Sequence, residues 1–197
     1  RLEQTSELLA KLETHFQEPS DAGFDSRFSA FFESLRRLAQ DPASESLRRS
    51  VVQKADSATN MLNQLDEDMV TMNHHIDTVI EGSIDTVNDL TKEIANYNSE
   101  ILQQEAGGNT LTTLRDKRDQ AIKELANNVN VSVHQGEKGH KNISVKGTLL
   151  VSGTDSYEVT KKTTEDEGTI LMALGHELDV DEGKLGGLMK MRNDFIP

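Results

Sequence analysis

The sequence predicts a mostly α protein with a small β unit. It reads as an elongated helical bundle or coiled-coil rod, then an antiparallel β insertion and a short returning helix. Three observations carry this reading. Residues 43–104 contain no Pro and only Gly82, and their apolar residues recur every three or four positions. From Val129 the apolar period changes to two. From Gly183 it returns to helical spacing.

Each element follows from its pattern. Leu2, Leu8, Leu9, Leu12 and Phe16 predict a helix over 2–17, ended by Pro19 and Gly23. Phe28, Phe31, Phe32, Leu35 and Leu38 predict a second helix from about Asp25 to Ala39. Asp41-Pro42 stops it and opens the next, because Pro suits a first helical turn. The long helix from Ala43 to about Gln104 carries a packing seam that includes Leu62, Leu65, Met69, Met72, Ile76, Ile84, Val87 and Ile94. Unbroken, it would be roughly 90 Å long at about 1.5 Å per residue. Three successive steps of four between Met72 and Ile84 form a stutter. Gly82 lies in it, and a bend or break is expected there.

Gly107-Gly108-Asn109 reads as a turn, followed by a helix from about Thr110 to Asn127. Val129, Val131 and Val133 then alternate as a half-buried strand should. Ile143 with Val145 and Leu149 with Val151 make two further strands around the Lys146-Gly147 turn. Ser156–Lys161 and Thr169–Leu174 are two more, and Leu185, Leu188, Met189 and Met191 mark the returning helix. The expected organisation is a helical rod domain of residues 1–127 joined by the returning helix 183–197, with a β subdomain of residues 128–182.

Composition narrows the function. Of 197 residues, 35% are hydrophobic, 28% charged and 4% aromatic, a balance that favours little deep core and few aromatic pocket walls. The net charge of −13 opposes binding to phosphate backbones or anionic membrane surfaces. No apolar run is long enough to span a bilayer. There is no Cys, so disulfides, thiolate metal sites and Cys nucleophiles are excluded. The chain opens on Arg1 with neither an initiator Met nor an apolar leader, which reads as a fragment without a secretory signal.

Candidate chemistry is sparse. Arg115, Asp116, Lys117, Arg118 and Asp119 could bind an anion, but helical spacing instead pairs Arg115 with Asp119 on a solvated face. His74-His75 point about 100° apart on a helix, whereas helical metal ligands sit at i and i+4. His134, His140 and His176 have no ligand spacing either. In Asp179–Gly183, the position where a calcium loop needs Glu is Lys190. No G-x-S-x-G accompanies the Ser and Thr residues of 151–164. No catalytic, cofactor-binding or metal residue is assigned, and no enzyme activity is expected. The seam is the candidate functional surface.

Several stretches resemble the bacterial flagellar hook-associated protein 1 family, the hook–filament junction proteins. They are FFESLRRLAQDPASESLRRSVVQKADSATNMLNQL, LTKEIANYNSEI, GGNTLTTLRDKRDQAIKELANNVNVSV and GKLGGLMKMRNDFIP, in the family's order and over most of the chain. The resemblance implies an extracellular structural protein of the flagellum, exported through the flagellar type III apparatus. It implies as partners the hook protein, the second hook–filament junction protein, copies of itself in a ring, and an export chaperone for the full-length chain. No cofactor, nucleic acid or membrane partner is implied. Read without the resemblance, the rod also suits a helical adaptor that docks a protein partner along its long helix.

Overall fold

The computed structural model describes residues 24–105, 112–136, 139–164 and 168–195. The expected helix over 2–17 and the Gly107-Gly108-Asn109 turn lie outside the described residues. The chain divides into two compact units, Arg1–Met72 and Asn73–Pro197.

The first unit holds helix α1 (Phe24–Gln40) and the start of helix α2 (Glu45–Glu105). Pro42 does not open α2 as expected. It sits in the connecting turn, and Ser44 is the N-cap, with its hydroxyl 3.4 Å from the Leu47 N–H. A hydroxyl at that position accepts from an orphan N–H of the first turn, which Pro cannot do. The Arg48 guanidinium closes the connection by donating to the Pro42 carbonyl at 3.0 and 3.2 Å. Arg27 of α1 reaches across to the Ser57 hydroxyl at 3.1 Å.

The break expected near Gly82 does not occur, because α2 is helical throughout. The hydroxyls of Thr78, Ser83 and Thr86 each donate to the carbonyl four residues earlier, at 2.8 Å. Such back-bonding satisfies these hydroxyls within the helix itself. The loss at Gly82 is entropic, about 1 kcal/mol, and tertiary packing of the neighbouring Ile80 and Ile84 outweighs it.

In the second unit, helix α3 (Thr112–Asn128) leads into a sheet of four antiparallel strands in the order β1-β2-β3-β4. These are Ser132–Gln135, Lys141–Val145, Thr148–Ser152 and Asp155–Ser156. A second sheet holds β5 (Val159–Thr164), β6 (Gly168–Ala173) and β7 (His176–Glu177) in sequence order. Helix α4 (Gly183–Phe195) follows. The single β unit of the sequence reading is thus two sheets. The candidate strand Ser156–Lys161 is divided at Tyr157-Glu158, where the chain passes from one sheet to the other.

Two turns follow local chemistry. Lys146-Gly147 and Leu174-Gly175 each place both residues at positive φ, as a two-residue hairpin loop with the strand twist requires.

Two burial expectations fail for identifiable reasons. Val129 is buried just past the end of α3, its N–H held by the Leu125 carbonyl at 3.0 Å, while β1 begins only at Ser132 and is exposed along its length. Helix geometry, not strand alternation, buries that valine. Along β3, Leu150 and Val151 are both buried and Leu149 is exposed. The register shifts between Ile143 and Ser144, which face Val151 and Leu149. Leu150 is the extra residue of a β-bulge, which breaks the strict alternation.

Candidate functional site

The seam of α2 behaves differently in the two units. In the second unit Ile76, Ile84, Val87 and Ile94 are buried, together with Ile80, Leu90 and Ile101. In the first unit Leu62 is 44% exposed, and Leu65, Met69 and Met72 are only half-buried. Among the described residues of the first unit, Ala58 is the sole deeply buried apolar side chain, while Phe32, Leu35, Val52 and Val70 are exposed.

A row of polar residues that periodicity had not singled out runs beside the sealed seam. Asn88, Thr91 and Asn98 are buried on α2. Asn98 has no exposure and uses its whole amide. Its Nδ2 donates to the carbonyls of Lys141 at 2.9 Å and Gly153 at 2.6 Å. Its Oδ1 accepts from the Lys141 N–H at 3.2 Å and from Arg118 Nη1 at 3.1 Å. Two donors and two lone pairs are the full capacity of that side chain. Asn88 treats Val159 like a neighbouring strand, accepting from its N–H at 2.8 Å and donating to its carbonyl at 2.9 Å. Asn193 of α4 does the same to Thr169, at 3.1 and 2.9 Å. Three side-chain amides thus fasten helices to the two sheets.

Arg118 corrects the reading of the charged cluster. It is 4% exposed, and besides Asn98 it donates to the Gly139 carbonyl at 3.1 Å. Asp119 lies 3.6 Å from its guanidinium and 3.7 Å from Lys141 Nζ. Arg118 and Asp119 are therefore part of the joint between α3 and the first sheet, while Arg115, Asp116 and Lys117 are exposed. A second joint centres on Asp77, whose carboxylate is 3.6 Å from Lys161 Nζ and 3.4 Å from Arg192 Nε. Lys161 also reaches Glu81 at 2.6 Å.

Asp179 and Asp181 do not form a cation loop. Both bind Lys146 Nζ at 2.7 Å. That hydrogen bond holds the Asp181 carboxyl below its usual range against the opposing effect of desolvation. The bonds to Asp179 and then Asp181 raise the Lys146 ammonium. Among the described residues no three His, Asp or Glu side chains group as metal ligands. His74, His75, His134 and His176 are exposed. A cavity of about 350 Å³ lies between Leu171, Leu178 and Met189, but Asn193 and Asp179 at its wall already have partners. No helix among the described residues is long and apolar enough to cross a membrane.

Known proteins resemble the chain in sequence and fold. The chain is 27% identical to flagellar hook-associated protein 1 of Bacillus subtilis (strain 168), over 86% of its own length and 32% of the relative's. It is 26% identical to flagellar hook-associated protein 1 of Escherichia coli (strain K12), over its full length and 37% of that protein. The chain thus spans about a third of these relatives. The flagellar hook junction protein FlgK of Burkholderia pseudomallei has the same fold, with a TM-score of 0.80 over 94% of this chain and 35% of that one, at 22% identity. Residues 9–197 match the family described as the flagellar hook-associated protein FlgK helical domain, and the chain belongs to that family.

Proposed function

We propose that this chain is part of a structural component of the bacterial flagellum that joins hook to filament through side-by-side packing of helical rods. The supporting observation is the contrast along α2. Residues from Ile76 onward are sealed by the chain's own sheets and helices, whereas Leu62 and Val70 stand open to solvent. Open apolar edges on a stiff helix suit contacts with other helices, and many modest contacts hold a polymer together. Such a role needs no cofactor and no catalytic residue. The partners proposed are the hook protein, the second junction protein and further copies of the chain, with export through the flagellar type III apparatus aided by a chaperone.

The test is cross-linking in assembled flagella from cysteines placed singly at Glu67 and Asp89, both exposed on α2. Products joining the protein to hook protein, to the second junction protein or to itself are expected. A protein that reacts with none of them, though present in the flagella, would defeat the reading.

A further inference from the structure

Two open patches on the first unit complement each other. On α2, Leu62, Asp66 and Val70 recur at four-residue spacing and form one row. Leu62 and Val70 are 44% and 48% exposed, and Asp66 and its neighbour Glu67 are exposed too. Neither carboxylate has a partner among the described residues. On α1, Phe32 is 54% exposed, and Leu35, Arg36 and Ala39 are exposed beside it. Arg36 likewise has no ion-pair partner among the described residues.

The patches face different ways. The bond from Arg27 to Ser57 and the burial of Ala58 put α1 on that side of α2. Asp66 is nine positions beyond Ser57 and eight beyond Ala58, which at about 100° per residue turns it about 180° from the first and about 80° from the second, away from the α1 side. On α1, Phe32 and Arg36 flank the buried Ser34 at two positions each way, so both point nearly opposite to it. One patch is apolar with an unmatched cation, and the other is apolar with unmatched carboxylates. They look outward from different sides of one unit.

We infer that the Phe32–Leu35–Arg36 patch of one copy docks on the Leu62–Asp66–Val70 row of a second copy. The occupant is another copy because this chain itself supplies both halves, complementary in charge and alike in apolar content. A contact between two unlike faces that point different ways is heterologous, so it repeats from copy to copy instead of closing as a pair. The inference rests on the junction reading and names the surface by which copies meet.

The test uses the full-length protein in purified flagella, carrying Leu35→Cys and Val70→Cys together. Mild oxidation is expected to give a ladder of dimers and larger species on non-reducing gels, with neither single variant doing so. Adding Arg36→Glu should abolish the ladder, and combining it with Asp66→Arg and Glu67→Arg should restore it. All these positions are exposed, and unchanged circular dichroism confirms folding. Protein that is present in flagella but stays monomeric on oxidation, or stops at dimers, overturns this inference alone. Protein absent from flagella overturns the junction reading and this inference with it.

Discussion

Replacing Asn98 by Leu probes how the first sheet is held to α2. The substitution keeps the branching and heavy-atom count of the side chain but removes four hydrogen bonds at once, to Lys141 N–H and carbonyl, to the Gly153 carbonyl and to Arg118. A buried group left without a partner costs about 1–3 kcal/mol. Arg118 keeps its bond to the Gly139 carbonyl, which limits its share. The added apolar burial of Leu returns about 1 kcal/mol. The expected net loss is about 3–5 kcal/mol. Urea unfolding followed by circular dichroism measures it, and amide exchange locates it. Exchange should accelerate first in Lys141–Val145, the strand that Asn98 holds. Asn98→Asp keeps the two accepted bonds but sets a carboxylate oxygen against the Lys141 and Gly153 carbonyls, and should cost at least as much as Leu. A loss below about 1 kcal/mol would refute the reasoning, since three part-buried backbone groups would have lost their partner. So would a loss that leaves exchange in Lys141–Val145 unchanged.

Three further outcomes follow from geometry and charge. Asp181 should titrate below the ordinary carboxylate range because Lys146 binds it, and Lys146→Gln should move its midpoint back up, as read by carbon-13 shifts. Its contribution to stability is therefore complete above the unfolded-state value of about 3.9 and lost as pH falls through the depressed folded value; that of Lys146 is present below about 10.4 and lost as pH rises through its raised one. Gly183→Ala should destabilise by about 2–4 kcal/mol in urea, because the residue sits at φ +81° and a Cβ would lie 2.5 Å from the Asn128 carbonyl oxygen. Gly82→Ala should instead stabilise by about 1 kcal/mol in the same assay, since nothing lies within 4 Å of a Cβ there and the helix is continuous.

The helices were legible because their apolar stripes are long and punctuated. Phe28 to Leu38 and Leu47 to Ile101 repeat for many turns, and the described ends fall within a residue or two of the capping signals. Burial was less legible. The period of α2 is the same in both units, yet Leu62 is open and Ile84 sealed, because what covers a stripe is decided elsewhere in the chain. The bulge at Leu150 left no mark in an alternating pattern read from residues 149 and 151. Arg118 could have been found. It falls on the stripe of Leu114, Ala121, Ile122 and Leu125 at helical spacing, and a charge in an apolar row signals a buried partner. Asn88, Thr91 and Asn98 gave the same kind of hint, spaced by three and seven beside the seam. Composition alone could not reveal that their amides would meet strand backbones from residues far along the chain.

The contact between Asn88 and Val159 has a consequence for how the molecule avoids sticking to itself in the wrong way. β5 lies at one margin of its sheet, where unused main-chain groups invite a foreign strand. The side-chain amide occupies both groups of Val159 and terminates the ladder with a surrogate peptide. Fibril-like joining at that position would have to displace a buried residue on α2. The amide thus closes that position of the sheet margin to a foreign strand.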